Sequence, residues 1–213
     1  LLRKVQLSNV RMRSGEWQRY FGSRLAHSVV GIIGVGRIGT RVLTHLSGFE
    51  CGQILVNDII EKNLDNYGHS IEWCNKEYIY READVISLHL PLTIETENLI
   101  GVDQLESMKP EAVLINTSRG GIINETDLYE VMQRGHLSGA AIDVFTSEPY
   151  SGPLIEIERC ILTAHMGSMS NDCRELMEVQ ATEEAVRFVC GQPLMHQVPH
   201  DEYELQKHVS DKA

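Results

Sequence analysis

The stretch Val30-Gly31-Ile32-Ile33-Gly34-Val35-Gly36-Arg37-Ile38-Gly39 constrains the fold more than any other in the chain. A short β-branched segment runs straight into Gly34-x-Gly36-x-x-Gly39, and Val42, Leu43 and Leu46 follow at helical spacing. A second apolar segment, Ile54-Leu55-Val56, leads to Asp58, about 20 residues past the last glycine. Strand, glycine turn, helix, strand and acid form a dinucleotide-binding fingerprint in its required context. Gly34 permits the tight turn, Gly36 lets the backbone approach a pyrophosphate, and Gly39 lets the helix lie close on the strand. The helix N-terminus offers unpaired amides and a partial positive charge to phosphates. Asp58 can accept hydrogen bonds from a ribose 2′-hydroxyl and repels a 2′-phosphate, which favours NAD over NADP. For the glycines taken alone, a plain strand–turn–helix junction is the competing reading.

The alternation of strand and helix continues. Residues 1–13 predict a helix with a partial apolar face (Leu1, Leu2, Val5, Val10), followed by an irregular connector over 15–27. Strands are expected near 29–33, 53–57, 85–89, 112–115, 138–143 and 160–163. Helices are expected near 37–47, 76–83 (helix or turn), 103–107 and 125–134, with the stretch between the second strand and residue 76 read as polar and irregular. Asn124-x-x-Asp127 reads as a capping box. Ser170 opens a last helix, with Cys173, Leu176, Met177, Ala181, Ala185 and Val189 as its apolar stripe and Gly191 and Pro193 ending it. The polar tail from about 199 is expected to be mobile. Short apolar strands alternating with helices predict an α/β fold, a Rossmann-type doubly wound parallel sheet whose ligands sit at the strand C-terminal ends.

Charge and cysteines narrow the partners. The chain has 213 residues and a formal net charge of −11, which argues against nucleic acid or an anionic membrane as a main partner. Cys51, Cys74, Cys160, Cys173 and Cys190 are scattered, odd in number and without a CxxC pair. That argues against a structural metal or a disulfide framework and favours reduced thiols in the cytoplasm. No signal peptide and no membrane-spanning apolar stretch is evident.

The residues with chemistry fall where strands end. His89-Leu90-Pro91-Leu92-Thr93-Ile94-Glu95-Thr96 follows one strand, and a loop there would border the adenosine side of a cofactor, or serve as a simple connection. Arg119, in Asn116-Thr117-Ser118-Arg119-Gly120-Gly121, has a planar fork that matches a carboxylate; a surface arginine on a turn is the plainer alternative. Asp143 ends another strand, Glu148 precedes Pro149, and His165 ends the last strand. A carboxylate and a histidine on neighbouring strand ends can pair as an acid/base unit, although a hydrogen-bonded structural histidine would look the same. The other eight histidines have no such placement.

Taken in order, Gly34–Gly39, His89–Ile100, Asn116–Ile122, Asp143–Pro149 and Leu162–Gly167 resemble the D-isomer-specific 2-hydroxyacid dehydrogenases, in the style of phosphoglycerate dehydrogenase. The resemblance runs from residue 1 to about 198. It implies that Arg119, Glu148 and His165 occupy the catalytic positions. It places Gly34, Gly36, Arg37, Ile38, Gly39, Asp58, Leu90, Pro91, Thr96, Thr117, Asp143 and Gly167 against NAD, with Asp143 fixing the nicotinamide amide. The implied reaction is reversible hydride transfer between the nicotinamide and a D-2-hydroxy or 2-keto acid, 3-phosphoglycerate-like substrates included. His165 would exchange the hydroxyl proton, Glu148 would orient it, and Arg119 would hold the carboxylate. A homodimer is the implied assembly, and no metal is implied.

Two local departures carry expectations of their own. Ala164 stands where the family usually has proline, so a looser histidine turn is expected. Phe49 to Asp58 is one residue longer than usual, so a bulge is expected near Cys51-Gly52, with Asp58 off register. The family's N-terminal half, most of its substrate domain, has no counterpart here. Residues 1–13 are accordingly read as the linker helix from that domain, 14–190 as the NAD-binding domain and 191–213 as a C-terminal segment, with weak or no turnover expected of this chain alone. The readings in competition are an NAD(H)-sensing, corepressor-type interaction protein on the same fold and a formate-type dehydrogenase.

Overall fold

The computed structural model describes residues 1–67 and 70–197. A helix, α1 (Val5–Arg13), and an irregular connector lead to β1 (Val29–Ile33). There follow α2 (Arg37–Leu46), β2 (Gln53–Asn57), β3 (Ile71–Trp73), α3 (Lys76–Glu82), β4 (Val85–Leu88) and α4 (Val102–Ser107). The chain continues through β5 (Val113–Asn116), α5 (Glu125–Gln133), β6 (Gly139–Ile142), β7 (Cys160–Leu162) and α6 (Asn171–Val189). The strands form one sheet in the order β3-β2-β1-β4-β5-β6-β7, every pair parallel. This is the doubly wound Rossmann-type sheet, and the strand order reverses between β1 and β4, where a crevice opens beyond the strand ends.

The central strands are apolar on both faces because both faces are covered. Successive side chains point to opposite faces. Val30 and Ile32 of β1 and Ile54 and Val56 of β2 pack with Leu43 and Leu46 of α2. Ile33, Leu55, Ile86, Leu88 and Leu114 face the other way, onto Ile79 of α3, Leu105 of α4, and Leu128 and Val131 of α5. Continuous apolar runs are what a parallel sheet covered on both sides requires.

Several expectations need correction. Helix α1 starts at Val5, because Lys4 takes a left-handed φ of 51°. Leu1 and Leu2 leave the helix and pack against the α2 face of the sheet. The stretch read as polar contains β3, whose three residues pair with β2 at the sheet edge and are too few to show a periodicity. Asn124 does cap α5, accepting from the amides of Thr126 and Asp127, but the box does not close. Asp127 instead accepts from the Val102 amide at 3.0 Å and ties α5 to α4. Ser170 stands at the N-cap of α6 without a side-chain cap bond, and no residue of α6 is buried, so the stripe beginning at Cys173 is uncovered within the described residues. Ahead of Asp58, Ser47–Phe49 form a 3₁₀ turn and Glu50 takes a left-handed φ of 50°. Strand β2 then pairs with β1 from Gln53 to Asn57 without a bulge, and Asp58 follows the strand end in register. The tail expected to be mobile lies outside the described residues. Among those residues no helix is long and apolar enough to cross a membrane.

Candidate active site

The glycine turn is built as its spacing requires. Gly34 has φ 95°, and a Cβ there would lie 2.4 Å from the carbonyl oxygen of His89, so the ends of β1 and β4 meet only over a glycine. A Cβ on Gly39 would lie 2.0 Å from the Gly34 oxygen, which is how closely α2 sits on the turn. At Gly36, by contrast, a Cβ would meet nothing within 4 Å. The space above the turn is open, and Gly36 carries no side chain to cap α2. A dinucleotide pyrophosphate fits this cradle: the room is there, and the first amides of α2 face an end with positive potential.

Asp58 reaches this turn. Its Oδ2 accepts from the Val35 amide at 2.6 Å and its Oδ1 from the Ile60 amide at 3.2 Å. The Lys62 ammonium donates to the Val35 carbonyl at 2.8 Å, so a carboxylate and a cation straddle one residue of the turn. Arg37 and Ile38 are exposed at the start of α2, and Leu90 is partly buried beside Gly34. Thr96 is turned inward: its hydroxyl donates to the Pro91 carbonyl at 2.6 Å and accepts from the Thr93 amide at 2.8 Å, closing the loop after β4. His89 lies at the root of that loop with Nε2 3.0 Å from the Ser87 hydroxyl, and burial pushes its pKa down to about 4. It is a neutral structural histidine.

After β5, Thr117 and Arg119 are exposed on a turn built by Asn116, whose side chain is buried. Asn116 Oδ1 accepts from the amide and hydroxyl of Ser118 at 3.1 and 2.8 Å, and its Nδ2 donates to the Arg119 carbonyl at 2.9 Å. The Arg119 guanidinium donates to the Ser118 carbonyl at 2.7 Å and keeps its remaining donors exposed. A Cβ on Gly120 would fall 2.0 Å from the Phe145 oxygen and 2.6 Å from the Thr146 nitrogen. The arginine turn is therefore pressed against the loop that carries Glu148.

Glu148 and His165 are brought together. Glu148 Oε2 lies 3.0 Å from His165 Nδ1, and its Oε1 accepts from the Phe145 amide at 3.0 Å. The Phe145 amide first, and then His165, hold the Glu148 carboxyl below the usual carboxylate range. His165 sits at φ 51° on a turn fastened by Asp143. Asp143 Oδ1 accepts from the Thr163 hydroxyl at 2.5 Å and the Met166 amide at 2.9 Å, while Oδ2 accepts from the Gly167 amide at 3.2 Å. At Ala164, where a looser turn was expected, the buried Asp143 carboxylate restrains the turn through these three bonds. Asp143, expected to meet a nicotinamide amide, has its oxygens turned to this turn. A cavity of about 590 Å³ opens beside the pair, lined by His165, Glu148, Phe145, Pro149, Tyr150, Ile155 and Leu162. The Phe145 and Tyr150 rings stack in its wall, centroids 4.1 Å apart.

These groups lie at or beyond the C-terminal ends of the strands. Asn116, Thr163 and Lys62 act in the site but were not anticipated. Asn116 had a readable signal, as an Asx-turn residue closing a strand. Thr163 and Lys62 had none, since their partners are distant in sequence.

Comparisons with known proteins bear on this arrangement. Residues 1–167 match the sequence profile of the D-isomer specific 2-hydroxyacid dehydrogenase NAD binding domain. The chain is 34% identical over 198 residues to a glyoxylate reductase of Korarchaeum cryptofilum, covering 89% of this chain and 59% of that one. It is 33% identical over 199 residues to the D-3-phosphoglycerate dehydrogenase of Bacillus subtilis, covering 92% of this chain and 38% of that one. The crystal structure of a glyoxylate reductase from Paecilomyes thermophila superposes with a TM-score of 0.84 at 27% identity, covering 94% of this chain and 61% of that one. The chain thus spans less than two thirds of the length of each of these relatives.

Proposed function

The chain belongs to the D-isomer-specific 2-hydroxyacid dehydrogenases, matching their NAD-binding domain, and from that premise we propose that the protein carrying it reversibly reduces a 2-keto acid to the D-2-hydroxy acid. The observation that carries the reading is the 3.0 Å contact between Glu148 and His165 Nδ1 at the sheet edge that also bears the glycine turn. Bound nicotinamide supplies the hydride in reduction and accepts it in oxidation. His165 donates a proton from Nε2, the nitrogen opposite Glu148, to the substrate's carbonyl oxygen as that oxygen becomes a hydroxyl, and takes it back in reverse. Glu148 fixes the ring and stabilises its charged form. Arg119 offers its free donors to the substrate carboxylate and holds it in line. The start of α2, Gly36, Thr117, Gly167 and the loop Leu90–Thr96 face the cofactor, and Asp58 selects NAD by its charge. Asp143 acts from beneath, through the histidine turn.

The cavity beside the pair points to the substrate. Beside the pair its walls are largely aromatic and aliphatic, and among the described residues no lysine or arginine lines it. A phosphate on C3 has no partner there, so the reading is a 2-keto acid without one, acted on by a cytoplasmic homodimer in which residues 14–190 are the cofactor domain. The test is NADH consumption by the full-length protein with glyoxylate, hydroxypyruvate and phosphohydroxypyruvate. Turnover of the first two is expected. NADH binding without turnover of any would overturn the reading in favour of a dinucleotide-sensing interaction protein, and preference for the phosphorylated acid would overturn the substrate assignment.

A further inference from the structure

We infer that Glu125, on the first turn of α5, is the positioning residue that holds the Glu148–His165 pair in place. The inference rests on the catalytic reading of that pair and adds a residue to it.

The loop from Phe145 to Glu148 carries one member of the pair and contains no helix or strand to stiffen it. Two consecutive amides fix it. Phe145 N–H donates to Glu148 Oε1 at 3.0 Å, inside the loop. Thr146 N–H donates outward, to Glu125 Oε1 at 2.7 Å. That second bond is charge-assisted and short, the stronger kind. It is also the loop's anchor to a rigid element: α5 is capped by Asn124 and packed into the core through Leu128, Val131 and Met132. Glu125 suits its place, because a carboxylate in a first turn is stabilised by the helix dipole. From the other side Gly120 presses on the Phe145 carbonyl. The loop is therefore clamped between the arginine turn and α5. A force applied at Glu125 travels over Thr146, Phe145 and Glu148 to His165 Nδ1, each step a backbone link or a hydrogen bond of 3.0 Å or less.

Charge and position can be separated. The Phe145 amide, the largest single cause, lowers the Glu148 pKa; of the titratable groups facing it, His165 lowers it by hydrogen bond and charge, and Asp143 raises it. Removing the negative charge of Glu125 can only lower the pKa of Glu148 further. Releasing the loop weakens the Phe145 and His165 contacts and raises it. The two effects have opposite signs.

The experiment follows the Glu148 carboxyl by carbon NMR titration in the full-length protein, in wild type, Glu125→Gln and Glu125→Ala. Gln keeps the acceptor oxygen for Thr146 and loses the charge, so Glu148 should titrate at or slightly below its wild-type position. Ala loses the acceptor, and Glu148 should move up toward the ordinary carboxylate range. A second arm reads turnover. Glu125→Ala should lower kcat about tenfold with the NADH KM unchanged, and Glu125→Gln should restore most of it. An unchanged or lowered Glu148 titration in a folded Glu125→Ala protein overturns the inference. The titration needs no substrate, so a protein that turns over no 2-keto acid would refute the proposed function while the role of Glu125 is still decided.

Discussion

Replacing Gly120 by alanine should separate the two halves of the site without touching either reacting side chain. The new methyl carbon would fall 2.0 Å from the Phe145 oxygen, 2.1 Å from the Phe145 carbonyl carbon and 2.6 Å from the Thr146 nitrogen. A relaxed contact between such atoms is about 3.5 Å, so the turn and the loop must part by roughly 1–1.5 Å. Backbone stands on both sides, and no rotamer change relieves the clash. Overpacking of this kind costs about 1–3 kcal/mol of stability. The displacement separates Arg119 from Glu148 and His165, and a misplacement of about 1 Å can cost about a hundredfold in turnover. Calorimetry and steady-state kinetics on the full-length protein measure both, with the NADH KM expected near wild type. Gly36→Ala is the matched control. Its methyl meets no protein atom within 4 Å, so the melting temperature should hold while NADH binding weakens. A folded Gly120→Ala protein with wild-type kcat would refute the argument that the close contact sets the catalytic geometry.

Other substitutions test other parts. Asp58→Asn keeps an acceptor for the Val35 amide but removes the charge that repels a 2′-phosphate, so the affinity ratio of NADH to NADPH should fall by roughly tenfold or more; calorimetric titration with both cofactors checks it, and an unchanged ratio would remove Asp58 from cofactor selection. Glu148→Gln should slow keto-acid reduction by about 10²-fold at neutral pH, because the amide keeps a contact to His165 Nδ1 but loses the charge that favours the imidazolium; a wild-type rate would contradict that. Burial lowers the His89 pKa from 6.5 in the unfolded chain to about 4 in the fold. The unfolded chain therefore takes the proton first on acidification: the stabilisation is complete above pH 6.5, drains as the pH falls, and is gone near pH 4, a difference of about 3 kcal/mol. Denaturant unfolding at several pH values should show this loss, and His89→Gln should flatten it.

The fold was readable because a parallel sheet covered on both faces writes itself as apolar runs, and each glycine of the turn faces a contact or a void that its spacing anticipates. Strand β3 was not readable, since three edge residues are held by pairing to β2 and by little of their own pattern. The stripe on α6 was legible as a stripe, but a stripe does not say what covers it. In the candidate site, Arg119, Glu148 and His165 stood out in the sequence because strand ends in such sheets collect ligands. Lys62 and Thr163 escaped because each finds its partner through the fold rather than through nearby sequence. Asp143 was noticed for its position, yet its bonds run to the histidine turn, a direction that no sequence pattern carries.

The fastening of that turn by one carboxylate sets which positions can drift. A pyrrolidine ring restrains a single site, covalently, and is lost entirely with a single replacement. Asp143 divides the same restraint among three donors, two of them backbone amides that no substitution short of proline removes. Residue 163 can therefore lose its hydroxyl, and residue 164 can give up its ring, with part of the restraint still in force. Residue 143 has no such freedom: its redundancy belongs to its partners, and changing it releases all three bonds together.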